Sequence, residues 1–154
     1  MPPFDGLTNY ELQDIAHKNN IKLDLVIMMN ELLTLKKQNY NLILNLQDTG
    51  VGNGTHWICL ITRGNNALYI DSFGGFAHPT VIKWCLQNDL HLGFSNYICQ
   101  DLKSQRCGYY CLQAIKQIQD ANALNLYDKG NNYVNLYVPS RKENEKIVMK
   151  QIIP

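Results

Sequence analysis

Two apolar runs, HWICLIT (56–62) and ALYID (67–71), flank the tetrapeptide RGNN, and no other feature constrains the fold of this chain as tightly. β-branched and aromatic residues on either side of a Gly-Asn turn predict an antiparallel hairpin. With the turn at 63–66, Thr62 faces Ala67, and counting back along both strands puts Ile58 opposite Asp71 and His56 opposite Phe73. His56 and Asp71 then share a face as diagonal neighbours. Such neighbours lie roughly 7–8 Å apart at the backbone, a gap that an imidazole and a carboxylate close with a hydrogen bond.

Around the hairpin, GLTNYELQDIAHKNN reads as a helix over roughly 8–19, since Thr8 and Glu11 have capping-box spacing and Leu12, Ile15 and Ala16 share a face. The following IKLDLVIMMNELL mixes strand and helix signals and is left as short irregular structure. NLILNLQ (41–47) reads as a buried strand running into the glycine-rich DTGVGNGT. A helix follows Pro79, with Val81 paired to Cys85 and Ile82 to Leu86, and SNYICQ (95–100) reads as a short strand. From Cys107 the apolar residues Cys111, Ala114, Ile115 and Ile118 recur at helical spacing, so a buried helix begins at or just before Cys107. Beyond it the pattern predicts a turn at DKGNN, a strand at YVNLYV and a last helix from Ser140.

A chain of 154 residues, 45% hydrophobic and 18% charged, can bury a core, and the expectation is one domain over 1–154. Its formal net charge of +1 excludes a uniformly basic surface, so nucleic acid is not implied by charge, and no run is long enough for a membrane span. MPPFDGLTNY lacks the basic and apolar regions of a secretory signal, which leads us to expect a soluble, intracellular protein. The five cysteines, 59, 85, 99, 107 and 111, are odd in number and show no paired framework, so free thiols are expected. The nearest approach to zinc-ligand spacing, Cys107 with Cys111, has no matching second pair, so no metal is expected.

Cys107 is the residue on which a functional reading turns. A thiol in the first turn of a helix meets unpaired backbone N–H groups and the positive end of the helix dipole, both of which favour the thiolate. Gly108 removes a side chain beside it, so that a substrate backbone can approach. His56, oriented by Asp71, is a suitable base, and the backbone N–H of Cys107 with the side-chain amide of Gln100 could bind an oxyanion. Each residue taken alone has a plainer role: a core cysteine, a strand-start histidine, a turn aspartate, a loop glutamine. The case rests on their conjunction.

In order and spacing, GTHWICL, LYIDSFGGF and QDLKSQRCGYYC resemble the motifs of the adenovirus maturation protease (adenain) family. That family has relatives in other double-stranded DNA viruses, virophages and virus-like transposons. Its wider superfamily includes the proteases that deconjugate SUMO and related modifiers. LTNYELQDIA and NYNLILNLQDTGVGNGTHW resemble the layout of the short virophage and transposon enzymes, so the likeness covers roughly residues 7–120, with a looser one at YVNLYVPS. The gap of seven from Gln100 to Cys107 is similar to the adenovirus-type gap, where deconjugating enzymes usually have six.

The resemblance implies an α+β fold in which a central mixed sheet is flanked by helices, with the nucleophile at the N-terminus of a buried helix. It implies His56 as general base, Asp71 as its orienting acid, Cys107 as nucleophile and Gln100 in the oxyanion hole. Trp57 would border the substrate groove, unless it is a core residue, and Gly54 and Gly74 would keep a narrow cleft open, unless they only make turns. The implied activity is a cysteine endopeptidase that cuts viral capsid or core precursors next to glycine during virion maturation. It would act as a monomer in the virion and infected cell, with no membrane partner.

No cofactor is required for that chemistry. An activating peptide disulfide-linked at Cys111, or DNA, is possible by analogy with the adenovirus enzyme, although Cys111 falls on the apolar helix face and the near-neutral charge weakens the case for DNA. A deconjugating protease for a ubiquitin-like modifier, an acyltransferase and a non-catalytic binding module on the same fold remain as alternatives.

Overall fold

A computed structural model describes residues 6–46, 56–95 and 97–152; Gly54 and the glycine-rich segment around it lie outside the described residues. Five strands form one mixed sheet in the order β1-β2-β3-β4-β5. They are β1 (Leu25–Met28), β2 (Tyr40–Asn45), β3 (Trp57–Arg63), β4 (Asn66–Ile70) and β5 (His91–Ser95). The outer pairs β1–β2 and β4–β5 are parallel, and the inner pairs β2–β3 and β3–β4 are antiparallel. The fold is therefore α+β, as expected.

The hairpin has the register read from the sequence: Thr62 pairs with Ala67 and Arg63 with Asn66. Gly64, at φ +57°, makes the turn, a conformation that favours glycine.

The three inner strands are apolar at nearly every position because both faces of the sheet are covered. On one face Ile43, Cys59, Ile61, Leu68 and Ile70 pack against α1 (Asn9–Lys18), α3 (Cys107–Ile118), α4 (Leu126–Val134) and α5 (Arg141–Gln151). On the other Leu42, Leu44, Ile58, Leu60 and Tyr69 pack against α2 (Pro79–Gln87) and a 3₁₀ helix (Met29–Thr34). Neighbouring residues of β3 thus serve opposite cores, in keeping with the two-residue period of a strand.

Buried Arg63 ties the far end of the hairpin to the residues just after α3. Its guanidinium donates to the carbonyls of Ala121, Tyr40, Thr62 and Gln119 and to Asn41 Oδ1, over 2.7–3.1 Å.

Helix starts follow their local signals. Thr8 and Glu11 form the reciprocal capping box of α1, Pro79 opens α2, and Ser140 caps α5 by accepting from the Glu143 N–H.

Three expectations fail. The segment left as irregular contains β1 and the 3₁₀ helix, with Met29 and Leu32 fully buried. The strand beside β4 is HLGFS (91–95); of the short strand expected at SNYICQ (95–100), Ser95 ends β5 and Ile98 makes an isolated bridge to Phe73. Glycine at 93 hid that strand; a Cβ there would lie 2.7 Å from the Tyr127 ring, so close helix-on-strand packing requires it. DKGNN and the start of YVNLYV form α4 rather than a turn and a strand. Leu126, Gly130 and Tyr133 make its buried face, and a Cβ on Gly130 would come within 2.6 Å of Leu68. Gly130 is there to let the helix cross β4 closely, and tertiary packing overrides its turn propensity.

Candidate active site

The hairpin's open end, the loop after β4 and the first turn of α3 converge on one place. β3 starts at Trp57, so His56 stands at its mouth, and β4 ends at Ile70, so Asp71 is the first residue beyond it. His56 Nε2 meets Asp71 Oδ1 at 2.7 Å, the contact expected from strand register. A carboxylate only accepts, so Nε2 carries the hydrogen and Nδ1 is the nitrogen left to deal with another group. Among the described residues, buried Nδ1 has no hydrogen-bond partner of ordinary geometry.

Burial alone would lower the pKa of His56. The hydrogen bond with Asp71, then interaction with the Cys107 thiol and the charges of both groups, outweigh it and raise the imidazole to about 9. For Asp71 burial pushes upward, but the hydrogen bond and charge of His56 and the N–H groups of Phe73 and Gly75 hold the carboxyl below its ordinary value. The carboxylate is boxed in: Phe73 N–H donates to Oδ1 at 2.9 Å, and a Cβ on Gly75 would stand 2.7 Å from Oδ2. The Phe73 ring stacks on the imidazole, with centroids 4.8 Å apart and planes inclined by 28°. Gly74, at φ +71°, closes the turn by donating its N–H to Asp71 O at 2.8 Å, so turn geometry accounts for this glycine.

Cys107 is the first residue of α3 and is 5% exposed. Its sulfur accepts the Trp57 backbone N–H at 3.4 Å, which joins the start of β3 to the start of α3. The other four cysteines are also free and buried. Burial pushes the Cys85 thiol up to about 11 and Cys99 to about 12, and raises Cys59 and Cys111 strongly, so these four are held as neutral thiols near pH 7. Cys111 lies in the main core at 4% exposure, so a disulfide-linked peptide there would require the core to open.

Gln100 is completely covered and held at both ends of its residue. Its backbone N–H donates to Ser72 O at 3.0 Å, and its side-chain Oε1 accepts the Ser72 hydroxyl. The amide Nε2 donates to Ser104 O at 3.0 Å. The preceding residue is fixed as well, because fully buried Asn144 of α5 donates to Cys99 O at 3.0 Å.

The fold is shared with a protease. The likeness is to the crystal structure of the ASFV pS273R protease, with a TM-score of 0.54 and 17% sequence identity, and covers 95% of this chain and 66% of that one. This chain thus spans a little under two thirds of that protease's length. No protein-family model matches the sequence, and no curated protein does.

The structure brings His56, Asp71 and Cys107 together, with Gln100 on the segment leading into α3. Two further sequence-predicted positions prove to be tied to the N-terminal segment. Trp57 is half-buried against the main core, and its indole N–H donates to Leu7 O at 2.8 Å. Gly108 turns its bare face to α1: a Cβ there would lie 2.9 Å from Leu12 and 3.2 Å from Leu7. Its smallness is therefore needed for helix packing, and the space next to it is not open groove. Sequence reasoning missed Ser72, Phe73 and Ser104. Phe73 was within reach of it, since the register that pairs His56 with Asp71 also sets Phe73 opposite His56. Among the described residues, no three His, Cys, Asp or Glu side chains gather as a metal site would require, and no helix is long and apolar enough to cross a membrane.

Proposed function

We propose that the chain is a cysteine endopeptidase of the adenain-like branch, using Cys107, His56 and Asp71 as a triad and Gln100 in the oxyanion hole. The observation that carries the reading is the sulfur at a helix start beside an imidazole whose Nε2 Asp71 holds at 2.7 Å. With the Cys107 thiol proton held on His56, Sγ attacks the scissile carbonyl carbon, and the carbonyl π electrons move to oxygen, facing the Cys107 N–H and the Gln100 amide. Collapse of this intermediate breaks the C–N bond, and His56 gives its proton to the departing amine, leaving a thioester on Cys107. Neutral His56 then takes a proton from water as that water attacks the thioester, and keeps it as the Cys107 sulfur leaves as thiolate with release of the acid product, which restores the starting pair.

The low exposure of Cys107 and Gln100 favours substrates that present little bulk at the scissile bond, in keeping with cleavage next to glycine. Trp57 would wall that approach. The natural substrates in this reading are viral capsid or core precursors, cut during particle maturation by a monomer in the virion or infected cell. Cys111 is assigned to packing rather than to an activating peptide.

The test is an electrophilic peptide ending in Gly-Gly-vinyl methyl ester, with the labelled residue mapped by mass spectrometry. Addition should occur at Cys107 and vanish in His56→Ala. Labelling spread over several cysteines, or insensitive to His56, would contradict the proposal.

A further inference from the structure

We infer that Ser72 is a positioning residue that fixes which end of the Gln100 amide serves the active site. The inference rests on the proposed oxyanion role of Gln100 and deepens it. A glutamine side chain is nearly symmetric in shape but opposite in chemistry at its two ends, and only the NH₂ end can donate to a developing oxyanion. Rotation of the terminal amide by half a turn would present a carbonyl oxygen to that negative charge, converting stabilisation into repulsion. Gln100 is completely covered, so the protein must set this orientation before substrate arrives.

Contacts at both ends set it: Ser72 holds Oε1, and Ser104 holds Nε2 through its carbonyl and, at 3.4 Å, its hydroxyl. Ser104 O is a carbonyl and can only accept, so the end of the amide that it meets at 3.0 Å has to be Nε2. The Ser72 hydroxyl donates to Oε1 at the other end. In the flipped state Oε1 would face the Ser104 carbonyl, and one buried acceptor pair would be left without hydrogens. The Ser72 carbonyl also accepts the backbone N–H groups of Cys99 and Gln100, each at 3.0 Å, so the residue that orients the amide also anchors its backbone. Ser72 itself is buried between Asp71 and Phe73, which places control of the oxyanion donor and of the imidazole on three consecutive residues.

The test compares wild type, Ser72→Ala, Gln100→Ala and the double variant on a Gly-Gly peptide substrate. Two reagents for Cys107 are added: iodoacetamide, which forms no oxyanion, and a peptide glycinal, whose hemithioacetal does. Ser72→Ala should lower kcat on the order of 10-fold with KM little changed, and weaken the glycinal by a similar factor. It should leave the iodoacetamide rate at Cys107 unchanged and have no further effect in the Gln100→Ala background. Ser72→Cys, similar in shape with a weak donor, should behave the same way if the alanine variant does not fold. An equal loss from the Ser72 substitution in both backgrounds, or a parallel fall in alkylation, overturns the positioning role while the oxyanion role stands. If Gln100→Ala itself keeps wild-type kcat, the oxyanion role fails and the positioning role falls with it.

Discussion

Replacing Asp71 by asparagine keeps the size of the side chain but removes its charge and its strongest tie to His56. The hydrogen bond with Asp71, 2.7 Å long, is the largest of the influences that raise the imidazole to about 9, and burial works against it. Without the carboxylate, burial opposes only the influence of Cys107, and His56 should fall toward its ordinary value of about 6.5, a change worth roughly 3 kcal/mol. At pH 7.5 the imidazolium should then drop from the dominant form to the minor one.

The assay is the pH dependence of the His56 ring proton by NMR, beside the pH profile of Cys107 alkylation. In wild type the His56 transition should lie near 9, and in Asp71→Asn it should move down by more than two units. Folding stability carries the same information. A folded pKa raised above the unfolded one contributes stability that is fully present below about pH 6.5 and is lost as pH rises through about 9, so wild type should weaken across that window and Asp71→Asn should not. Asp71 has the opposite sign: its depressed pKa contributes stability at neutral pH that is lost as pH falls through the folded value. A His56 that still titrates near 9 in Asp71→Asn would mean that Asp71 is not what raises it.

Other substitutions separate chemistry from scaffold. Gly75→Ala puts a Cβ 2.7 Å from Asp71 Oδ2 at a backbone conformation alanine can adopt, so kcat should fall about 10-fold or more as the carboxylate turns from His56, with thermal stability nearly kept. Arg63→Lys removes most of a buried donor fork from the carbonyls of Ala121 and Gln119 and from Asn41 Oδ1; it should cost roughly 2–3 kcal/mol in denaturant unfolding and leave the pH profile unchanged. Phe73→Ala removes the ring stacked on His56 but keeps the N–H that Asp71 accepts, so kcat should fall while the His56 pKa stays raised, as NMR would show.

Much of this site is legible in the sequence because it depends on short-range rules. A Gly-Asn turn fixes the register of the hairpin, and the register alone brings His56 to Asp71 across a span of 15 residues. Likewise, helical spacing from Cys107 fixes where α3 starts and hence the sulfur's place at its N-terminus.

Where the reading went astray, packing between distant segments decided the outcome. Gly93 and Gly130 look like breakers in one dimension, yet each makes room for a side chain from another element, Tyr127 and Leu68. Gly108 shows the same thing inside the site: its neighbour Cys107 suggests a substrate role, and only the docking of α1 reveals that Leu7 and Leu12 occupy the space. Ser72 was hidden for a similar reason, since its partner Gln100 lies 28 residues away and no periodicity links them.

Cys107, set at the start of α3 beside His56, is proposed to make this chain a peptidase. The most direct test is hydrolysis of short peptides carrying Gly-Gly or Gly-x before a fluorescent leaving group, by wild type and by Cys107→Ala with folding confirmed by circular dichroism. Wild type should turn the peptides over and the equally folded variant should not. Equal hydrolysis by both proteins, or none from folded wild type even with DNA, viral core peptides or modifier conjugates supplied, would contradict the proposal.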